Sequence, residues 1–170
     1  VGQLRKEGLG TLILGNAANN YTGGTLVLGG TVQAMSSTLP GDVSVNSGAF
    51  LTFAQNTDGT YTGVISGAGN VIKEGNGTIT LTGIQSYTGQ TTINQGGIQG
   101  TTSSLNNHSV TTSTSNTALI FNQNFNGNYS GSLTGAGALV KYGSGTVVMT
   151  GASTYTGRQS NAVGCRWRQF

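Results

Sequence analysis

Charge is scarce in this chain. Asp, Glu, Lys and Arg make up 6% of its 170 residues. Arg158, Arg166 and Arg168 all lie beyond Gly157, and four basic residues face four acidic ones before them, so the body is neutral and the net +3 belongs to the tail. A neutral body excludes the basic face that nucleic-acid binding requires. Cysteine occurs once, at Cys165, which excludes an internal disulfide. Proline also occurs once. No apolar run approaches the ~20 residues of a membrane-spanning helix, and no signal peptide is visible. Helical periodicity is missing as well, with Gly or Asn every few positions where a helix would need better formers. The chain starts abruptly at Val1 and reads as a piece of a larger protein.

What the chain does have is 30 glycines, many β-branched residues and six tyrosines. That composition favours short strands separated by Gly and Asn turns. Five tyrosines, Tyr21, Tyr61, Tyr87, Tyr129 and Tyr155, open Tyr-Thr-Gly or Tyr-Ser-Gly triplets whose spacing alternates long, short, long, short. One long and one short gap together define a superrepeat of roughly 67 residues, present about two and a half times. "LRKEGLGTLILG" (4–15) returns as "VIKEGNGTITLTG" (71–83) and "LVKYGSGTVVMTG" (139–151); "YTGVISGAGNVIK" (61–73) returns as "YSGSLTGAGALVK" (129–141). Repetition at fixed spacing decides architecture before any other signal.

Apolar residues alternate within each short run, which turns one face of a strand inward. The predicted core is Leu12, Leu14, Val27, Leu51, Phe53, Ile65, Ile79, Leu81, Ile93, Leu119, Phe121, Leu133, Val147 and Met149. A period of roughly 67 residues divides into three coils of roughly 22 residues, the size of a solenoid coil. It suits neither a propeller blade nor an antiparallel sandwich. The fold predicted for residues 1–157 is therefore all-β, a parallel β-helix with three coils per superrepeat, followed by a non-repeat tail over 158–170 that packs irregularly. The tail reads as a frame change, a foreign addition or a cap.

Each tyrosine triplet is expected just before a strand, its ring covering the apolar edge of a corner and its hydroxyl remaining in water. Lys6, Lys73 and Lys141 recur two residues beyond the inward positions Leu4, Val71 and Leu139. Strict alternation would bury them at a cost, so each lysine is expected to swing outward at a corner.

The run Lys6-Glu7-Gly8-Leu9-Gly10-Thr11 with Tyr21-Thr22-Gly23-Gly24-Thr25 recurs at Lys73–Thr78 with Tyr87–Thr91, and at Lys141–Thr146 with Tyr155–Gly157. It is similar to the passenger-associated strand repeat of bacterial autotransporters. The resemblance implies a right-handed parallel β-helix at the bacterial surface, carried across the outer membrane by a C-terminal barrel outside this sequence. It further implies a stalk, scaffold or adhesin segment, with host-surface or bacterial-surface receptors or self-association as partnerships. A polysaccharide-binding or -cleaving β-helix of tailspike or lyase type is the alternative.

The residues offer little for catalysis. His108 is the only histidine and lies in "SLNNHSV", which reads as a surface loop rather than part of a nucleophilic triad. Glycosidase chemistry needs two carboxylates ~5–10 Å apart. Glu7 and Glu74 hold one slot in successive superrepeats, which stacked coils would place ~14 Å apart, and Tyr142 replaces them in the third copy. Asp42 and Asp58 read as turn residues. No Gly-rich calcium nonapeptide or dinucleotide motif occurs, so the chain is expected to be non-enzymatic, with no catalytic, cofactor-binding or metal site. The segment 101–117, "TTSSLNNHSVTTSTSNT", opposite 35–48, is the best candidate for a specific contact.

Overall fold

The computed structural model describes residues 2–106 and 108–160, together with the backbone of 161 and 167–169. The strands are short because a Gly or Asn turn follows most of the alternating runs. The first two coils carry β1 (Leu4–Lys6) and β2 (Thr11–Leu14), then β3 (Thr25–Val27) and β4 (Thr31–Ala34). The third and fourth carry three strands each: β5 (Val43–Val45), β6 (Phe50–Ala54) and β7 (Gly59–Tyr61), then β8 (Ile65–Gly67), β9 (Asn70–Glu74) and β10 (Thr78–Leu81). Two coils with one strand fewer follow, β11 (Thr91–Ile93) with β12 (Gly97–Gly100), and β13 (Val110–Thr112) with β14 (Ala118–Asn122). The last strands are β15 (Gly127–Tyr129), β16 (Leu133–Gly135), β17 (Ala138–Tyr142), β18 (Val147–Met149), β19 (Gln159–Asn161) and β20 (Trp167–Gln169).

Every strand pair is parallel, and the sheets run β1-β3-β5-β8, β2-β4-β6-β9-β11-β13-β16, β7-β10-β12-β14-β17-β19 and β15-β18-β20. The first and last of these sheets take the same place in the chain's cycle, so the molecule has three sides. It is a parallel β-helix of about eight coils, as the alternation predicts.

The coil is shorter than the roughly 22 residues expected of it. Paired residues lie 18–23 positions apart, most often 20, as in Leu12↔Val32, Ile79↔Gly59 and Val147↔Gly127. The superrepeat thus covers three coils and one further side. Equivalent strands step around the axis: β1, β9 and β17 carry the three lysines on three different sides. Repeat-equivalent residues are therefore not stacked, and the axial spacing expected for Glu7 and Glu74 does not apply. Glu7 follows β1 on the first side, and Glu74 ends β9 on the second.

Inward residues form ladders along the axis. One side stacks Val32, Leu51, Val71, Thr91, Val110 and Leu133; another stacks Ile79, Ile98, Leu119 and Leu139. All of the predicted core residues are buried except Leu12 and Leu14, which are half-buried on an edge strand. Sequence reasoning missed Val32, Val43, Val45, Ile98 and Val110, which are buried in the same ladders. After Gly157 the backbone keeps the ladder: β19 pairs with β17 and β20 with β18, so the tail's backbone is not irregular there. The side chain of Trp167 and the whole of Cys165 lie outside the described residues.

Candidate functional site

The ionisable residues were the first candidates for chemistry, and the coil geometry gives nearly all of them structural partners. The lysines turn inward, contrary to the outward swing expected. Lys73 and Lys141 are 0% exposed and Lys6 is 8% exposed. Each obeys the alternation of its strand, so Lys73 stands in the core ladder between Phe53 and Ile93. What makes burial tolerable is the Lys-x-Gly turn. Lys73 Nζ donates to the carbonyls of Glu74 (2.6 Å) and Gly75 (2.7 Å) in its own turn. It also reaches Gln55 O (3.2 Å) and Gln95 O (3.3 Å) in the two adjacent coils. Lys6 reaches Glu7 O, Gly8 O and Gly29 O, and Lys141 reaches Gln123 O, Tyr142 O and Gly143 O. Gly75 has φ +78°, and a Cβ there would lie 2.6 Å from Gln55 O, so only glycine permits this turn. A buried ammonium must be fully hydrogen-bonded, and alternation alone does not reveal that the corner supplies carbonyls. Burial lowers the Lys73 pKa to about 8, against the upward pull of Glu74 and Asp58.

The carboxylates are spread out and occupied. Asp42 Oδ1 accepts Val64 N–H (2.8 Å), and Asp58 Oδ1 accepts Thr78 N–H (2.7 Å), each from the next coil. Asn70, Asn124 and Asn126 accept backbone N–H groups across coils in the same way. Glu74 accepts a bond from Asn94 Nδ2 (2.7 Å), and Glu7 pairs with Arg5 at the surface (2.5 Å). Among the described residues no group of three metal-ligating side chains converges.

The tyrosines also differ from expectation. Tyr61, Tyr87 and Tyr129 are buried, and their hydroxyls are bonded rather than wet. Tyr61 donates to Gly41 O (2.6 Å), Tyr129 donates to His108 O, and Tyr87 shares a bond with Thr91 Oγ1 (2.6 Å). Tyr61 and Tyr129 end strands β7 and β15, with rings against Phe53 (5.2 Å) and Phe121 (4.9 Å). Coil packing closes over the corners, which single-strand alternation does not report. Burial pushes the Tyr61 and Tyr129 phenols above their ordinary value and Tyr87 up to about 12.

The strongest local departure from regular coils is at 101–109. The first side of the prism has no strand between β8 and β15, and this loop stands in the gap. Reciprocal bonds close its first turn: Thr101 N–H to Ser104 Oγ (2.8 Å) and Ser104 N–H to Thr101 Oγ1 (3.0 Å). Thr102 N–H donates to the buried amide of Gln123 (2.7 Å), and Asn106 Nδ2 donates to Gln85 O (2.9 Å). Asn106 takes φ 44°, a left-handed conformation that Asn tolerates. Concavities flank the loop on both sides. One of ≈ 260 Å³ is lined by Thr80, Thr82, Gln99, Thr101, Ser104 and Asn122. The other, ≈ 530 Å³, is lined by Ser86, Tyr87, Thr88, Gln90, Asn106, His108 and Ser109. Neither contains a charged side chain, so both offer hydroxyls and amides. His108 is buried here rather than exposed, stacked on Tyr87.

The three Lys-x-Gly-x-Gly-Thr turns and their strand ladders coincide with a known repeat. The passenger-associated-transport-repeat model matches residues 4–34, 71–99 and 139–158. The chain thus carries three stretches similar to the passenger-associated transport repeat. Its similarity extends to a curated relative, the adhesin BmaC autotransporter of Brucella suis biovar 1 (strain 1330). The two are 42% identical over 56% of this chain and 4% of the relative. The chain spans a small fraction of that relative's length. No solved structure matches it. Passenger repeats of this kind place the segment outside the cell, at the bacterial surface.

Proposed function

We propose that this passenger segment is a non-enzymatic β-helical stalk that holds an adhesive protein away from the cell, with loop 101–109 as its point of specific contact. The observation that carries the reading is the use of ionisable groups. Lys6, Lys73, Lys141, Asp42 and Asp58 all serve as bonds within or between coils. A pair of carboxylates converging on a substrate, which polysaccharide hydrolysis needs, is not formed by these residues. The whole protein, by its likeness to an adhesin, would bind a surface receptor and depend on a C-terminal outer-membrane barrel for export. A screen against polysaccharides and simple esters, with and without calcium, should show no turnover. Turnover lost on changing His108, Asp42 or Asp58 would refute the stalk assignment.

Polysaccharide binding without cleavage is a second reading, favoured by the uncharged hydroxyl- and amide-lined concavities beside the loop. A glycan array probed with the chain and with a variant lacking 102–106 distinguishes it from a plain spacer. Binding that the deletion removes assigns the contact to the loop.

A further inference from the structure

His108 stands where the preceding superrepeat has a glycine. The loops 35–42 and 101–109 share their bonding. Thr38 and Ser104 bond back to Met35 and Thr101, and Gln55 and Gln123 receive Ser36 and Thr102 N–H. Tyr61 and Tyr129 donate to the carbonyls of Gly41 and His108. Where Gly41 has no side chain, the matching Tyr21 is half-buried. At the equivalent place the His108 ring lies parallel to Tyr87, with centroids 3.9 Å apart and planes at 7°, and Tyr87 is buried. The histidine is 9% exposed, and its Nε2 has no hydrogen-bond partner among the described residues.

We propose that His108 is an acid-released latch on loop 101–109, closed while its imidazole is neutral and opened by its protonation. A proton at Nε2 would create a cation and a donor in a dry position with no acceptor, which is strongly unfavourable. Rotation into the adjacent ≈ 530 Å³ concavity returns the ring to water. That movement uncovers the face of Tyr87 between Ser86, Thr88 and Gln90, turning a closed corner into an aromatic platform edged by hydroxyls and an amide. The titratable groups facing the ring are Tyr87 beneath it and Tyr129, whose hydroxyl bonds its carbonyl. Both are phenols held above their ordinary value, so neither titrates in acid. No carboxylate lines the concavity to stabilise a closed imidazolium.

Burial holds the ring's pKa below 6.5, against a hydrogen bond with the Gln85 backbone that pulls it up. The open form therefore binds more protons than the closed one below pH 6.5, and acid favours opening. From an open-state value of 6.5, the opening constant rises by up to about thirtyfold between pH 7.5 and pH 5. Because His108 is the only histidine, NMR titration of its ring is unambiguous. Amide hydrogen exchange, corrected for intrinsic rates, should show faster opening at 86–90, 102–106 and 108–109 at pH 5 but not in β9 and β10. His108→Phe keeps a stacked ring that cannot titrate and should remove the acid response. A ring pKa at or above 6.5, unchanged exchange in the wild type, or an equal acid response in His108→Phe would each overturn the latch. The first two measurements need no variant.

Discussion

Replacing Lys73 by Met keeps the apolar stem in the ladder between Phe53 and Ile93 while removing the ammonium. The two changes this makes oppose each other. Gly75 O and Gln95 O lose the donor that Lys73 gives them, at ~1–3 kcal/mol for each buried carbonyl left unpaired. Gln55 O and Glu74 O keep backbone donors from Gly77 and Gln55. Against that loss, the variant no longer holds a cation away from water. The lowered pKa, about 8 against 10.5, puts that penalty at ~3 kcal/mol. The net change at neutral pH is therefore small, and the pH dependence is the decisive reading. Between the folded and the unfolded pKa the unfolded chain binds more protons, so stability rises with pH. Urea midpoints should give a wild-type gain of about 2 kcal/mol between pH 7 and pH 9.5. Lys73→Met should lack that gain, whereas Lys73→Ala should lose a further ~2–3 kcal/mol at all pH values through missing methylenes. A flat wild-type profile, or the same rise in Lys73→Met, would refute the argument that Lys73 is held as a strained cation.

Phe121 is fully buried edge-on to Tyr129, and Phe121→Ala should cost ~3–5 kcal/mol in denaturant unfolding. A loss below ~1 kcal/mol would mean that the core there is loosely packed. Stability should fall above pH 10, because the phenols of Tyr61, Tyr87 and Tyr129 have raised folded values and the unfolded chain releases protons first. Ultraviolet titration of tyrosinate should show three phenols ionising only with unfolding; ordinary titration of all six would contradict their burial. Gly135 has φ +96°, and a Cβ there would lie 1.8 Å from Thr112 O. Gly135→Ala should therefore unpair β13 from β16, seen as loss of amide protection at 110–112 and 133–135. Unchanged protection would show that the two coils can separate freely.

The repeat, the parallel β-helix and most of the core could be read directly, because alternation in a strand and similarity between copies are local properties of the chain. Leu51, Phe53, Ile79 and Phe121 point inward for reasons visible in their immediate neighbours. The candidate site was less legible. Segment 101–117 stood out as a departure from the repeat, but His108 looked exposed because its neighbours are turn formers. What buries it is Tyr87, one coil away.

The same limit explains the lysines. Lys6, Lys73 and Lys141 occupy inward slots by sequence, but only the fold brings carbonyls of the turn and of adjacent coils to their ammonium groups. The sequence by itself determined the strand pattern and the length of the superrepeat, since both follow from which residues recur. Only the tertiary structure decided the length of a coil, set by pairings such as Leu12↔Val32 and Ile79↔Gly59, and with it which residues meet. Contacts in a β-helix join residues one coil apart, whereas sequence similarity joins residues one superrepeat apart. Because the second distance is not a whole number of coils, copies that look alike lie on different sides of the helix rather than stacked above one another.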